Sequence, residues 1–120
     1  MTYDAEELLT QWGRWVWQGA GVPGYGISPL YALMRDNVEQ VTRSLPAAIS
    51  DDEALMIDRA VASLWKRYPK TADCIRFYYC TGMTMQSVGK GLGLSRLKVR
   101  ELIIAGNNYV QACLDMRMAA

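Results

Sequence analysis

A chain of 120 residues with 51% hydrophobic and 21% charged side chains is large enough to bury one core and too ordinary in composition for disorder or low complexity. A net charge of +1 with a pI near 7.7 excludes a uniformly basic, histone-like binder. The complete absence of His removes Ser-His-Asp triads, His-ligated metals and imidazole acid–base chemistry.

The mean charge conceals an asymmetry. Residues 1–69 carry six Lys/Arg against nine Asp/Glu, and residues 70–120 carry seven against three. The C-terminal half therefore suits a polyanion and the N-terminal half a protein surface. Cys74, Cys80 and Cys113 match no zinc spacing and read as buried thiols of a reducing compartment. No cofactor or metal is called for. No apolar run approaches the roughly 20 residues that cross a bilayer, so no membrane partner is expected. Asp4, Glu6 and Glu7 stand where a secretory signal would be basic, which points to the cytoplasm.

In chain order, the first element is a helix over residues 4–18. Ala5, Leu8, Leu9, Trp12, Trp15 and Val16 recur at helical spacing, and Asp4, Glu6 and Glu7 sit at its positive end. Trp17 falls on the opposite side and reads as an exposed aromatic suited to a partner. Gly19, Gly21, Pro23, Gly24 and Gly26 then specify a loop. Neither a preceding strand nor a following Lys-Ser/Thr supports phosphate binding there. Ser28-Pro29 offers a helix start, with Leu30, Leu33, Met34, Val38 and Val41 at intervals of three or four, extending to about Arg43 or for one short turn. The expected organisation is a single helical domain over 1–120: the helix 4–18, a loop-rich linker over 19–49 with this helix from 29, and a helical core over 50–120.

Ser50-Asp51-Asp52-Glu53 is a capping box. It opens a helix whose core stripe is Ala54, Ile57, Val61, Leu64, Trp65 and Tyr68, closed by Pro69. The Asp51/Asp52 pair accordingly reads as capping rather than as a glycosidase pair. Two shorter helices follow, over roughly 70–81 to Gly82 and roughly 85–92 from Thr84 as N-cap. Phe77, Tyr78 and Tyr79 are offset by ~100° from one another on a helix, so they form no base-stacking platform. Tyr79 belongs with Ala72 and Ile75 in the core. Ser95 caps the longest helix, to about Met116, with Val99, Leu102, Ile103, Gly106, Val110 and Cys113 on one side. No segment alternates like a strand, and the fold class is all-α.

The functional signal lies between Met85 and Leu102, where a short helix, a turn and a second helix stand at the spacing of a helix-turn-helix at 85–102. The pattern needs a small residue where the helices cross, Gly89, and a left-handed turn residue, Gly93. It also needs apolar residues on either side of the turn, Leu92 and Leu94, and two core contacts from the second helix, Val99 and Leu102. Such a unit offers the start of its second helix to the major groove. Thr84, Gln86, Lys90 and Lys98 are assigned to phosphates, and Ser95, Arg96, Leu97, Arg100 and Glu101 to the DNA-facing side. The two arginines suit guanine edges, and Leu97 suits a thymine methyl. Between Thr84 and Arg100 stand four basic residues and no acid. The alternate glycines Gly89, Gly91 and Gly93 follow a helix rather than a strand, which rejects a nucleotide loop. Leu97, Ile104 and Asn108 continue an exposed strip suited to partner binding or self-association, or to an extra packed helix.

With these residues in place, the chain resembles the phage Q-type antitermination protein family, in its small class without a zinc-binding insertion. The resemblance is carried by Leu9-x-x-Trp12-Gly13-x-Trp15, by Ser50-Asp51-Asp52-Glu53-Ala54 with Ala60-x-x-x-Leu64, and by Tyr78-Tyr79-x-x-Gly82-Met83-Thr84. It implies a compact helical domain whose C-terminal helix-turn-helix resembles sigma factor region 4, in a non-enzymatic factor of the bacterial host cytoplasm. The implied partners are double-stranded DNA at a Q-binding element near a phage late promoter and RNA polymerase holoenzyme including its sigma factor. The factor then travels with polymerase and acts at the nascent RNA exit path, where it prevents terminator hairpins. DNA recognition falls on Ser95, Arg96, Leu97 and Arg100, and Trp17, Tyr25 and Ile104 are the candidates for polymerase contact. The competing expectations are a dimeric helix-turn-helix repressor or activator at an operator, and a helical adaptor with no nucleic-acid role.

Overall fold

The structure, a computed structural model, describes residues 4–18 and 47–119. They form α1 (Ala5–Trp17), α2 (Asp51–Arg67), α3 (Pro69–Thr81), α4 (Met85–Leu92) and α5 (Arg96–Ala119). Of the described residues 85% are helical and none lies in a strand, and the all-α class follows. The glycine-rich stretch, the Ser28-Pro29 helix start and Tyr25 lie outside the described residues.

Local chemistry sets the helix ends. The Asp4 carboxylate accepts the Glu6 N–H at 3.1 Å at the start of α1. At the start of α2, Ser50 Oγ accepts the Glu53 N–H at 3.1 Å while the Glu53 carboxylate accepts the Ser50 N–H at 3.3 Å. Tyr68 leaves the helical conformation at φ −135° and ψ 75°, and Pro69 opens α3 immediately afterwards. A proline there forfeits no helical bond, because the first N–H groups of a helix have no partner within it.

α3 is the buried centre. Thr71, Ala72, Cys74, Ile75, Phe77, Tyr79, Cys80 and Thr81 are buried, and each of the other four helices packs against it. α1 approaches so closely that a Cβ on Gly13 would lie 1.9 Å from the Tyr79 carbonyl oxygen. The Tyr79 hydroxyl donates to Asn107 Oδ1 of α5 at 3.0 Å, and the buried Thr81 hydroxyl donates to the Phe77 carbonyl. Around this centre lie Leu9, Trp12, Ile57, Leu64, Val99, Val110 and Leu114. Polar ties fix the periphery. Trp15 Nε1 donates to Asp51 Oδ1 at 2.9 Å, the Ala48 N–H to Gln11 Oε1 at 2.8 Å, and the Ala5 N–H to Gln111 Oε1 of α5 at 2.9 Å.

Three sequence expectations are corrected. Trp65 and Tyr68 are 51% and 58% exposed, so the core stripe of α2 ends at Leu64. Tyr68 is the residue that departs from helical geometry, and Trp65 stands at the edge of the buried arc in the last turn. Trp17 is half-buried and packed against the core rather than standing free. α1 buries Gln11 and Gly13 as well as its apolar stripe, so its neighbours enclose it more widely than one stripe implies. On α5, Leu114 completes the core while Leu102 and Cys113 are only half-buried. The Cys74 and Cys80 side chains are buried. Among the described residues, no helix is long and apolar enough to cross a membrane.

Two outcomes follow from this packing. Gly13→Ala drives a methyl into the Tyr79 carbonyl, and urea unfolding should show a loss of about 1–3 kcal/mol. Burial pushes the Cys74 thiol up from 9.0 to about 11 and the Tyr79 hydroxyl up from 10.0 to about 12. Both favour the protonated, folded form, so the stability they contribute is complete below pH 9 and is lost as pH rises through 11 and 12. The urea midpoint should fall in that window, and Tyr79→Phe should flatten its upper part.

Candidate nucleic-acid interface

Two hydroxyl caps and one folded-back turn build the α4–α5 corner. Thr84 Oγ1 accepts the Ser87 N–H at 3.1 Å and its hydroxyl donates to Ser87 Oγ at 3.0 Å, which starts α4. Gly93 ends α4 in the left-handed region, at φ 71° and ψ 33°, with its N–H directed to the Gly89 carbonyl. The Leu94 N–H reaches the same carbonyl at 2.8 Å. A Cβ on Gly89 would lie 2.4 Å from the Leu94 carbonyl oxygen, so the turn closes over a position where only hydrogen fits. Ser95 Oγ then accepts the Lys98 N–H at 3.1 Å and starts α5. Val88 and Val99 are fully buried and fasten both helices to the core.

With Val99 turned inward, the remaining side chains of the first turns of α5 face solvent. Ser95, Arg96, Leu97, Lys98, Arg100 and Glu101 are all exposed, as are Thr84, Gln86 and Lys90 on the α4 side. Gln86 and Lys90 are one turn apart and share a face of α4. Arg96, Leu97 and Arg100 come together with Met85 around a notch of about 400 Å³. The sequence reading did not assign Met85 to the site. Its position directly after the Thr84 cap, at the first turn of the helix that meets α5, is the signal that could have found it.

Four assigned polar residues have other engagements. Lys98 Nζ lies 3.8 Å from Glu101 Oε2, with both side chains more than half exposed; such a pair is worth little in stability, yet it places the Glu101 carboxylate against a cation. Thr84 and Ser95 use their hydroxyl oxygens as helix caps. Ile104 is 49% exposed and lies two turns beyond Leu97 on the same face of α5. Trp17 belongs to the far end of α1 and is not among the residues lining the notch. A second hollow of about 320 Å³ has Trp12, Val16 and Trp65 among its walls and mixes Asp58 with Lys66 and Arg76. Its mixed signs do not make a field for a polyanion.

The start of α5 thus presents Arg96, Lys98 and Arg100, three of the 13 Lys/Arg of the chain, to solvent at a corner locked by glycine. The family model for phage antitermination protein Q matches residues 2–119, and the chain belongs to that family. It is thereby a transcription regulator of phage antitermination, a role that involves RNA polymerase and DNA in general terms. Comparison with curated proteins and with solved structures gave no match.

The corner distinguishes two kinds of glycine. Around Gly93 a Cβ meets nothing within 4 Å, so Gly93→Ala should cost only the left-handed strain of about 1–2 kcal/mol, with Gly93→Asn recovering part of it. Gly89→Ala adds collision with a backbone carbonyl and should lower the thermal midpoint further. Equal losses at the two positions would contradict the close approach.

Proposed function

We propose that the α4–α5 corner is a helix-turn-helix of the sigma-region-4 type that reads a Q-binding element near a phage late promoter, and that residues 1–120 act as one non-enzymatic domain. The observation that carries this reading is the notch. Arg96, Leu97 and Arg100 face solvent together at the start of α5, where a recognition helix meets base edges.

In the proposed complex α5 enters the major groove by its N-terminal turns, with Ser95 at the leading edge and Glu101 behind. Arg96 and Arg100 fork onto guanine O6 and N7, and Leu97 touches a thymine methyl. Lys90, Lys98, Gln86 and Thr84 lie towards the phosphates and set the register. Lys98 reaches them by leaving Glu101, a weak exposed pair that opposes the move little. DNA-bound protein then loads onto RNA polymerase holoenzyme beside sigma and remains at the RNA exit path, where hairpin formation is suppressed. The acidic balance of the first half of the chain suits it to a protein partner. Of the residues considered for that contact, Ile104 offers exposed apolar surface, Trp17 is largely committed to the core, and Tyr25 is outside the described residues.

Arg96→Ala and Arg100→Ala should each cost about 1–3 kcal/mol in binding a late-promoter duplex while leaving unrelated duplexes less affected. Lys90→Ala should weaken both alike and reduce the salt slope by about one unit. Gel shifts over a salt series measure both effects, and equal losses for all three variants on all duplexes would contradict the assignment. In a purified transcription reaction the protein should allow read-through of a distant terminator only when the element lies upstream. Altered initiation with unchanged termination would instead support the operator-binding dimer.

A further inference from the structure

We infer that the notch between α4 and α5 is a reader of the thymine 5-methyl group, with Met85 and Leu97 as its apolar walls and a guanine read beside it by Arg96 or Arg100. This rests on the DNA reading proposed above and deepens it by adding Met85 as the second wall of the methyl contact and by making that contact the source of base selectivity.

Leu97 is 64% exposed, although it lies in the middle of the most cationic stretch of the chain. Exposed leucine offers nothing to a phosphate. The half-buried Met85 faces the same hollow from the neighbouring helix, and Arg96 and Arg100 complete its lining among the described residues. Among the described residues the surface is therefore a hydrocarbon floor inside a guanidinium rim, with no acid on its walls. A duplex major groove carries the complementary pattern, an anionic backbone around base edges on which the one apolar group is the thymine methyl.

The spacing is compatible. Arg96 and Arg100 are separated by about 6 Å along the axis of α5, and base pairs are stacked about 3.4 Å apart. The two guanidiniums thus span fewer than two base-pair steps, and Leu97 lies within that span. A methyl seated against Leu97 and Met85 has a guanine edge within reach of one or both arginines. Such a pocket separates a T·A pair from a C·G pair without a hydrogen bond, because cytosine lacks the methyl.

The test uses the full-length protein and synthetic DNA. A randomised duplex pool is selected for binding, and the best duplex is remade with deoxyuridine in place of each thymidine in turn. One replacement next to a guanine should weaken binding about fourfold, the worth of one buried methyl, and the others should not. A cytosine placed at that position should bind better when it is 5-methylated. Leu97→Ala, whose side chain is exposed enough to leave the fold intact, should abolish the difference between the thymine and uracil duplexes. A selected duplex that tolerates uracil at every position overturns the methyl reader while leaving DNA recognition standing. Failure to select any duplex at low salt overturns the DNA reading itself, and the methyl reader with it.

Discussion

The arrangement of the described helices depends on how closely backbones approach α3. This helix has no single apolar face, because all four neighbours need one of its sides. Contact at that density requires small residues at the closest points, and Gly13 meets the Tyr79 carbonyl where no larger residue fits. Polar groups inside such a centre must find local partners, since an unpaired buried hydroxyl costs roughly 1–3 kcal/mol. Thr81 turns back onto Phe77, and Tyr79 reaches across to Asn107. The second of these also ties α3 to α5, the helix that carries the candidate interface.

That tie separates two tasks along α5. Ile103, Val110 and Leu114 are buried and hold the helix against the centre, whereas the first turn contributes little to the core beyond Val99. Its side chains can be charged and exposed because stability is supplied further along. The corner is held by backbone instead: the Gly89 carbonyl receives two N–H groups from the turn, and Gly93 supplies the left-handed residue. A surface positioned by backbone bonds and two buried valines keeps its geometry while the exposed side chains remain free to meet a ligand.

The features legible in the sequence were those settled by local chemistry. The capping box at Ser50 and Glu53, the break at Pro69, the caps at Thr84 and Ser95, and the left-handed Gly93 each depend on a few neighbouring residues, and each is present. The expectations that failed depended on how many partners a helix has. Trp65 and Tyr68 continue the spacing of α2 yet stand in solvent, because periodicity does not say where a neighbouring helix ends. Trp17 lies off the apolar stripe yet packs against the core, because α1 is enclosed on more than one side. The same limit concealed Met85. Its place in the notch is a relation between α4 and α5, signalled in the sequence only by its position directly after the Thr84 cap.

On the proposed reading, the charge distribution constrains how the protein stays on its target. A nearly neutral chain has no general attraction to nucleic acid, and among the described residues the corner gathers Lys90, Arg96, Lys98 and Arg100. Displacement of about four counterions gives a weak, strongly salt-dependent hold on non-specific DNA. Residence at one element must then come from base contacts together with a second attachment, and two linked contacts raise occupancy through effective concentration without either being tight. The acidic balance of the first half of the chain keeps that part away from the duplex phosphates and available to a protein. Opposite charge biases in one small molecule thereby favour a bridge between DNA and polymerase over an independent, tight DNA binder.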